Sequence, residues 1–509
     1  MPSYEPVVGL EVHVQLSTAT KMFCRCPNRF GAEPNTLICP ICLGYPGALP
    51  VINHHAVDLA VTLAAALQCE TPEASVFARK NYFYPDLPKG YQISQHELPL
   101  ARDGRLPLGR HGGSVRIERL HLEEDAGKLL HEAPGGPAPP GHSLVDFNRA
   151  GVPLVEIVSA PEIASAAEAQ DYLQSLHQLL LYTGASDGNM EEGSLRCDAN
   201  VSVRQSGSNR LGTRAEIKNL NSFRNVGRAI EHEIGRQVEV LARGERVVQE
   251  TRGFDADTGA THTLRSKEQA HDYRYFPEPD LPPLVLAAAR VAALRAALPE
   301  LPWQRRDRFR NQYQLSAADA EVLTQNREVA DYYEAAISAV SAGWAPSAGS
   351  APSAGSAPPA GSAAPAGPKA IANWVMTEVL RERKEHRAEA LDRILAPARL
   401  AGLAAMVAAG ELSTSAARQV FAAIRGTGEE PAAAAVRLGL GQIGDAGQIE
   451  AWVEQAIARH AGPAAQYRAG RTQTLGFLVG QAMKLSGGRA DPRAVQRLMR
   501  QALDGAAAE

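Results

Sequence analysis

The sequence predicts an α+β protein in three parts: an α+β region over residues 1–295, an all-α helical domain over 296–397, and a small all-α tail domain over 398–509. Two observations carry the α+β assignment. From Leu195 to Arg204 apolar and polar residues alternate, with Cys197, Ala199, Val201 and Val203 on one face and Arg196, Asp198, Asn200 and Ser202 on the other. Amphipathic helical spacing recurs between such strands, near 54–68, 165–183 and 222–242. A third observation sets the boundary: beyond residue 296 strand patterns stop and Ala, Leu and Arg dominate. At 509 residues, two to four domains are expected.

In chain order, the first strand is VGLEVHVQL. Val8, Leu10, Val12, Val14 and Leu16 share a face, and Glu11, His13 and Gln15 share the other. Glu11 and His13 are then about 7 Å apart along the strand. Cys24, Cys26, Cys39 and Cys42 follow as C-x-C and C-P-x-C, with twelve residues between the pairs. In a cytosolic chain this spacing reads as a four-thiolate zinc site rather than disulfides, and a filled ligand set makes the zinc structural. Cys69 and Cys197 read as core residues. The helix near 54–68 places Val57, Ala60, Val61, Ala64 and Leu67 on one stripe. In NYFYP (81–85), Tyr82, Phe83 and Tyr84 could stack on a base, but packing is the expected role.

The segment RLHLEEDAGK (119–128) supplies His121, Glu123, Glu124 and Asp125, and PLVEIVS (153–159) sets Glu156 among β-branched residues. An acid there is out of place unless paired or metal-bound. Grouped carboxylates repel unless a proton or cation sits among them, and an oxygen-rich set with an imidazole suits Mg²⁺ or Mn²⁺. The alternation slips between Ile117 and Leu120, so parity does not choose between Glu123 and Glu124. A further strand sets Arg214, Glu216 and Lys218 opposite Ala215 and Ile217. Such a mixed face is either an ordinary solvated sheet or a cradle for a phosphate-bearing substrate.

In the helical part, the hexamers APSAGS, APSAGS and APPAGS break the composition at 345–367, which reads as a flexible insertion. The last helix has Asp491 to cap it, Pro492 in its first turn, and Val495, Leu498, Met499, Ala502 and Leu503 as its buried stripe. The formal charge is −4, yet residues 455–509 carry +5, leaving −9 on the rest. A basic terminal module on an acidic body suits local contact with a polyanion. There is no P-loop and no G-x-G-x-x-G, so any ATP is held by other means. No apolar stretch approaches the roughly 18 residues of a membrane span, and no secretory signal pattern opens the chain. A cytoplasmic protein is expected.

The runs VGLEVHVQL, TKMFCRC, CPICLGYPGALPV, RKNYFYPDLPKGYQISQ, LHLEEDAGK, MEEGSLRCDANVSVR, EIKNLNSF and DYRYFPEPDLPPL occur in order over residues 5–285. KAIANWV (369–375) and TLGFLVGQAMKLSGGRADP (474–492) follow. Together they resemble the B subunit of the aspartyl/glutamyl-tRNA amidotransferase. The resemblance implies a cradle-like catalytic domain that activates the side-chain carboxylate of misacylated Glu-tRNA or Asp-tRNA with ATP, for amidation by ammonia. It further implies two partners, a glutaminase A subunit that delivers the ammonia and a small C subunit. The 345–367 insertion departs from the family pattern.

On this basis Glu11, His13, Glu124 and Glu156 are the expected Mg²⁺ ligands, with Glu123 and Asp198 close by. Arg79, Lys80, Lys218 and Arg274 are candidates for stabilising phosphate or carboxylate charge. Lys484, Arg489, Arg493 and Arg497 are candidates for tRNA contact. Two other readings remain at this point: a metal-dependent phosphatase or nuclease, and a tRNA-binding scaffold whose acids are inert.

Overall fold

A computed structural model describes residues 3–130, 132–133, 136–137, 142–266, 273–341, 366–386, 390–440, 446–487 and 490–505. The chain divides into two compact units, Met1–Arg305 and Arg306–Glu509.

The first unit is built on an eight-stranded sheet. Its strands are β1 (Tyr4–Gln15), β4 (Ala101–Pro107), β5 (Ser114–Glu124), β6 (Pro153–Ser159), β7 (Leu195–Gln205), β8 (Ala215–Leu220), β9 (Glu250–Phe254) and β10 (Thr261–Ser266). Their spatial order is β10-β9-β8-β7-β1-β6-β5-β4. All neighbours are antiparallel except β8 and β9, which run parallel and are joined by the crossover helix α3 (Phe223–Ala242). A smaller sheet forms from β2 (Ala78–Asn81), β3 (Tyr91–Ser94) and β11 (Phe276–Pro277), with β2 in the middle.

The alternation in each strand decides which face is buried. Val8, Leu10, Val12 and Val14 of β1 join Leu120, Leu122, Ile157, Cys197, Ala199 and Val201 in one core. The helices α1 (His54–Ala66), α2 (Ala166–Thr183) and α3 cover it. Local chemistry starts each helix where the sequence predicts. Asn53 and Ser222 cap α1 and α3. Ser165 accepts from Glu168 N, while Glu168 reaches back to Ala164 N, and Gly184 in the left-handed region ends α2. The opposite, polar face of the sheet is left for the site.

Among the described residues the second unit is helical throughout, and its buried side chains form two clusters. One runs from Phe309 to Ala435 and the other from Ile449 to Leu503. Leu400, Leu403, Val420 and Phe421 belong to the same cluster as Tyr333 and Trp374, and the second cluster starts at Ile449. The last helix (Pro492–Gly505) buries Val495, Met499 and Leu503 as predicted, and Asp491 caps Arg493 N. Of the insertion at 345–367, residues 345–365 lie outside the described residues.

Candidate active site

Three strands in register make the centre of the site. Glu156 on β6 pairs with His13 on β1 and with His121 on β5, so the imidazole–carboxylate–imidazole row crosses adjacent strands on the polar face. Glu156 Oε2 lies 3.4 Å from His13 Nε2 and 3.3 Å from His121 Nε2. Glu123, two residues beyond His121, approaches His121 Nε2 at 3.3 Å. It accepts from Ser94 Oγ at 2.7 Å and Gln92 Nε2 at 3.1 Å, so β3 fixes it from above.

A second group lies on the other side of β1. Glu11 faces Asp198 across the β1–β7 pair and accepts from Asn200 Nδ2 at 2.9 Å. Lys218 bridges Asp198 and Glu216, the latter at 3.2 Å. Glu216 also accepts from Thr251 Oγ1 at 3.2 Å.

Apart from Gln92, Ser94 and Asn200, these side chains open onto one cavity of about 490 Å³, walled on the far side by Lys80, Gln95, His96, Tyr273 and Tyr275. Its six carboxylates (Glu11, Glu118, Glu123, Glu156, Asp198, Glu216) face four fixed cations, Lys80, Arg119, Arg214 and Lys218. The imbalance explains the titration of the buried groups. Burial by itself would depress both His13 and His121, but the Glu156 charge outweighs it, raising His13 and lifting His121 to about 9. Burial opposes ionisation of Glu123, yet Lys80 and His121 bring it down to about 2. Glu156 is likewise held well below the carboxylate range by the two histidines against its own burial. Lys80 and Lys218 are raised despite burial, by Glu123 and Asp198 respectively. With both histidines protonated the cavity is electrically balanced, two protons standing where one divalent cation could.

Ligand atoms of His13, Glu123 and Glu156 lie within 4.8 Å of one another, as do those of Glu11, Asp198 and Glu216. These mixed oxygen and imidazole donors fit a hard divalent cation. The cysteine quartet is a third such group, its four sulfurs within the same 4.8 Å and no disulfide among them. Cys42 is pulled down to about 5, first by its hydrogen bond with Cys24 and against its burial. Four converging thiols, one of them readily ionised, fit a soft metal ion. A fourth group, Glu382, Glu385 and His386, is compensated by Arg425 on Glu382 at 2.5 Å.

Of the residues expected from sequence, Glu11, His13, Lys80, Glu123, Glu156, Asp198 and Lys218 line this cavity. Three do not. Glu124 takes the parity of Leu120 and Leu122, turns away from the cavity, accepts from Ile93 N at 3.1 Å and pairs with Lys89. A β-bulge makes that choice. Val158 pairs with Arg119 and Ser159 with Ile117, so Glu118 is unopposed and the faces of β5 exchange there. Arg79 points away from Lys80 and is clamped by Glu278 at 2.7 and 2.8 Å. Arg274 is exposed, its carbonyl accepting from Asn81 at 2.9 Å, while its neighbours Tyr273 and Tyr275 reach the cavity. Packing holds for Tyr82, which bonds Gln92, but Phe83 is 78% and Tyr84 49% exposed.

His121 and Glu216 carry more of the site than their sequence suggests. Both sit on strand faces already marked as polar, and only their partners reveal the role. Gln92 and Ser94 were not legible, because β3 is four residues long and its pairing is needed to aim them. In the second unit Lys484, Arg493 and Arg497 are exposed, and Arg489 lies outside the described residues.

Residues 6–292 match the GatB/GatE catalytic domain and residues 361–503 match the GatB domain. Among curated proteins, the B subunit of the aspartyl/glutamyl-tRNA(Asn/Gln) amidotransferase from Geotalea daltonii is 49% identical, over 99% of this chain and 100% of its own. The B subunit of the same name from Carboxydothermus hydrogenoformans is 48% identical over 99% of each chain. That of Myxococcus xanthus is 47% identical over 98% of each. With its whole length covered at this identity, and the acidic cavity carried by the matched catalytic domain, the chain belongs to the family of aspartyl/glutamyl-tRNA(Asn/Gln) amidotransferase B subunits.

Proposed function

We propose that this chain phosphorylates the side-chain carboxylate of glutamate or aspartate carried on a misacylated tRNA, using ATP, and converts it to the amide with ammonia. The His13–Glu156–His121 row, buried at Glu156 and His121, in a cavity rich in acids and lysines is the observation that supports this most directly. A carboxylate oxygen attacks the γ-phosphorus and ADP departs. Ammonia then attacks the carbonyl carbon of the acyl phosphate and phosphate leaves. Both approaching groups are anions, so the barrier is largely electrostatic.

His13, Glu123 and Glu156 would hold Mg²⁺, with Glu11, Asp198 and Glu216 offering a second position. When bound, Mg²⁺ neutralises phosphate oxygens and orients them. Lys80 and Lys218 are the chain's own contribution: Lys218 is paired with Asp198 and Glu216, Lys80 lies over the Tyr273 ring in the field of Glu123 and Glu156, and both stay charged, ready to meet the phosphoryl group or the substrate carboxylate. Ser94 and Gln92 hold Glu123 in one orientation. Zinc is the metal proposed for the cysteine quartet. A glutaminase A subunit and a small C subunit are the proposed partners, and Lys484, Arg489, Arg493 and Arg497 the proposed tRNA contacts. Among the described residues no helix is long and apolar enough to cross a membrane.

The test is Gln-tRNA formation from Glu-tRNA by the reconstituted complex, with free ammonium to bypass the glutaminase. His13→Ala should assemble and bind tRNA while losing amide product; full activity in this variant would favour an inert scaffold and overturn the site.

Cation binding should also release protons. At pH 7.5 His121, with its value near 9, is protonated before Mg²⁺ arrives, so roughly one to two protons should leave per cation. Calorimetry in buffers of different ionisation enthalpy measures this, and affinity should climb as pH rises toward 9. In the metal-free protein the sign reverses. His121 is raised, so its stabilisation is complete below its ordinary 6.5 and lost as pH rises through about 9. Glu123 is depressed, so its contribution is present above 4.5 and lost as pH falls toward 2.

A further inference from the structure

We propose that Lys21 is the buried counter-ion of the four-cysteine centre. Its ammonium offsets the thiolate charge that a metal-loaded quartet concentrates, and ties that centre to the turn at Phe147–Gly151. This rests on the reading of the quartet as a zinc site.

Lys21 is 0% exposed. A lysine head removed from water costs several kcal/mol unless an opposite charge receives it. Yet among the described residues no carboxylate forms an ion pair with Lys21. Its nitrogen donates to Cys42 Sγ at 3.7 Å and to the Phe147 carbonyl at 3.3 Å. Cys42 as a single thiolate and one carbonyl offer the ammonium one opposite charge, whereas four thiolates around a dication carry a net charge of about −2 and are the fuller host. The partner of this lysine is therefore the centre itself.

The position also transmits order. Lys21 N donates to the Cys26 carbonyl at 3.0 Å and Met22 N to Gly151 O at 2.8 Å, while Gly151 N donates to Asp125 O at 2.9 Å. Gly151 is a neighbour of both residues: a Cβ there would make ordinary contacts, 3.4 Å to Cys42 Cβ and 3.6 Å to Lys21 Cδ. From Asp125 the chain runs directly back to Glu124 and Glu123. Lys21 thus joins the cysteine centre to the end of the strand that supplies the cavity, without touching the cavity itself.

The experiment measures zinc in the full-length chain and its transfer to the chromogenic chelator 4-(2-pyridylazo)resorcinol, for wild type, Lys21→Met, Lys21→Gln and Lys21→Arg. Removing a partner that tunes a metal ligand typically costs about 10- to 100-fold in affinity. Lys21→Met and Lys21→Gln should therefore give up zinc at least about tenfold faster, while Lys21→Arg stays close to wild type. Hydrogen exchange over 145–152 should rise in the two neutral variants. Lys21→Gln keeps hydrogen-bonding capacity without charge, and it decides the matter should Lys21→Met fail to fold. Wild-type release from Lys21→Gln would overturn the counter-ion role. Absence of zinc from the wild-type chain would instead remove the metal reading on which it rests.

Discussion

Glu156→Gln should abolish ATP-dependent amide formation while leaving the chain folded. The substitution keeps the volume of a side chain buried between two histidines but removes the charge that holds both of them. His13 and His121 would fall back toward or below their ordinary range, because burial, which already opposes their protonation, would then be less opposed. A cation binding there would lose an anionic ligand as well. Loss of a metal ligand and its charge should cost several kcal/mol of transition-state stabilisation, on the order of a thousandfold or more in rate. Single-turnover assays with free ammonium measure it, alongside tRNA binding and thermal unfolding as controls. Near-normal turnover would mean that activation does not use this row.

Stripping the cysteine centre should unfold residues 24–52 locally while the eight-stranded sheet persists. From Cys24 to Asn53 only Leu37 and Cys42 are buried, and the segment holds neither helix nor strand beyond one bridge between Thr20 and Pro27. Phe30, Tyr45, Leu49 and Val51 are exposed, so little apolar burial opposes the loss of order. Structural zinc in small peptides supplies an apparent 10 kcal/mol or more, roughly what such a segment lacks. The asparagine contacts between this lobe and the neighbouring turn, such as Leu37 N to Asn148 at 2.8 Å and Phe147 N to Asn35 at 2.8 Å, should open with it. Chelation followed by hydrogen exchange reads this directly. Unchanged protection over 24–52 after metal removal would show that the lobe is ordered by its own contacts.

Both expectations depend on features that differ in how they are written into the chain. Local pattern was enough for the fold class, for the three helices on the sheet, for the cap of the last helix, and for the strand face to which Glu11, His13, Asp198 and Lys218 belong. Caps and alternation are local: every residue that sets them lies within a few positions. The family, too, was legible from motifs of ten to twenty residues in order. Which of those side chains meet is a different matter, settled by the folded chain alone. His13 and Glu156 are 143 positions apart in number and adjacent in register, a fact of strand order that no window of sequence contains. The sequence shows the alternation slipping between Ile117 and Leu120, but the choice of Glu123 over Glu124 needed the partner strand to show which residue the bulge leaves unopposed. Arg79 and Arg274 left the set for a similar reason, since the partners that clamp or bypass them arrive from distant segments. Local pattern assigns a side chain its face; register and strand order assign it its neighbours, and the chemistry follows from the neighbours.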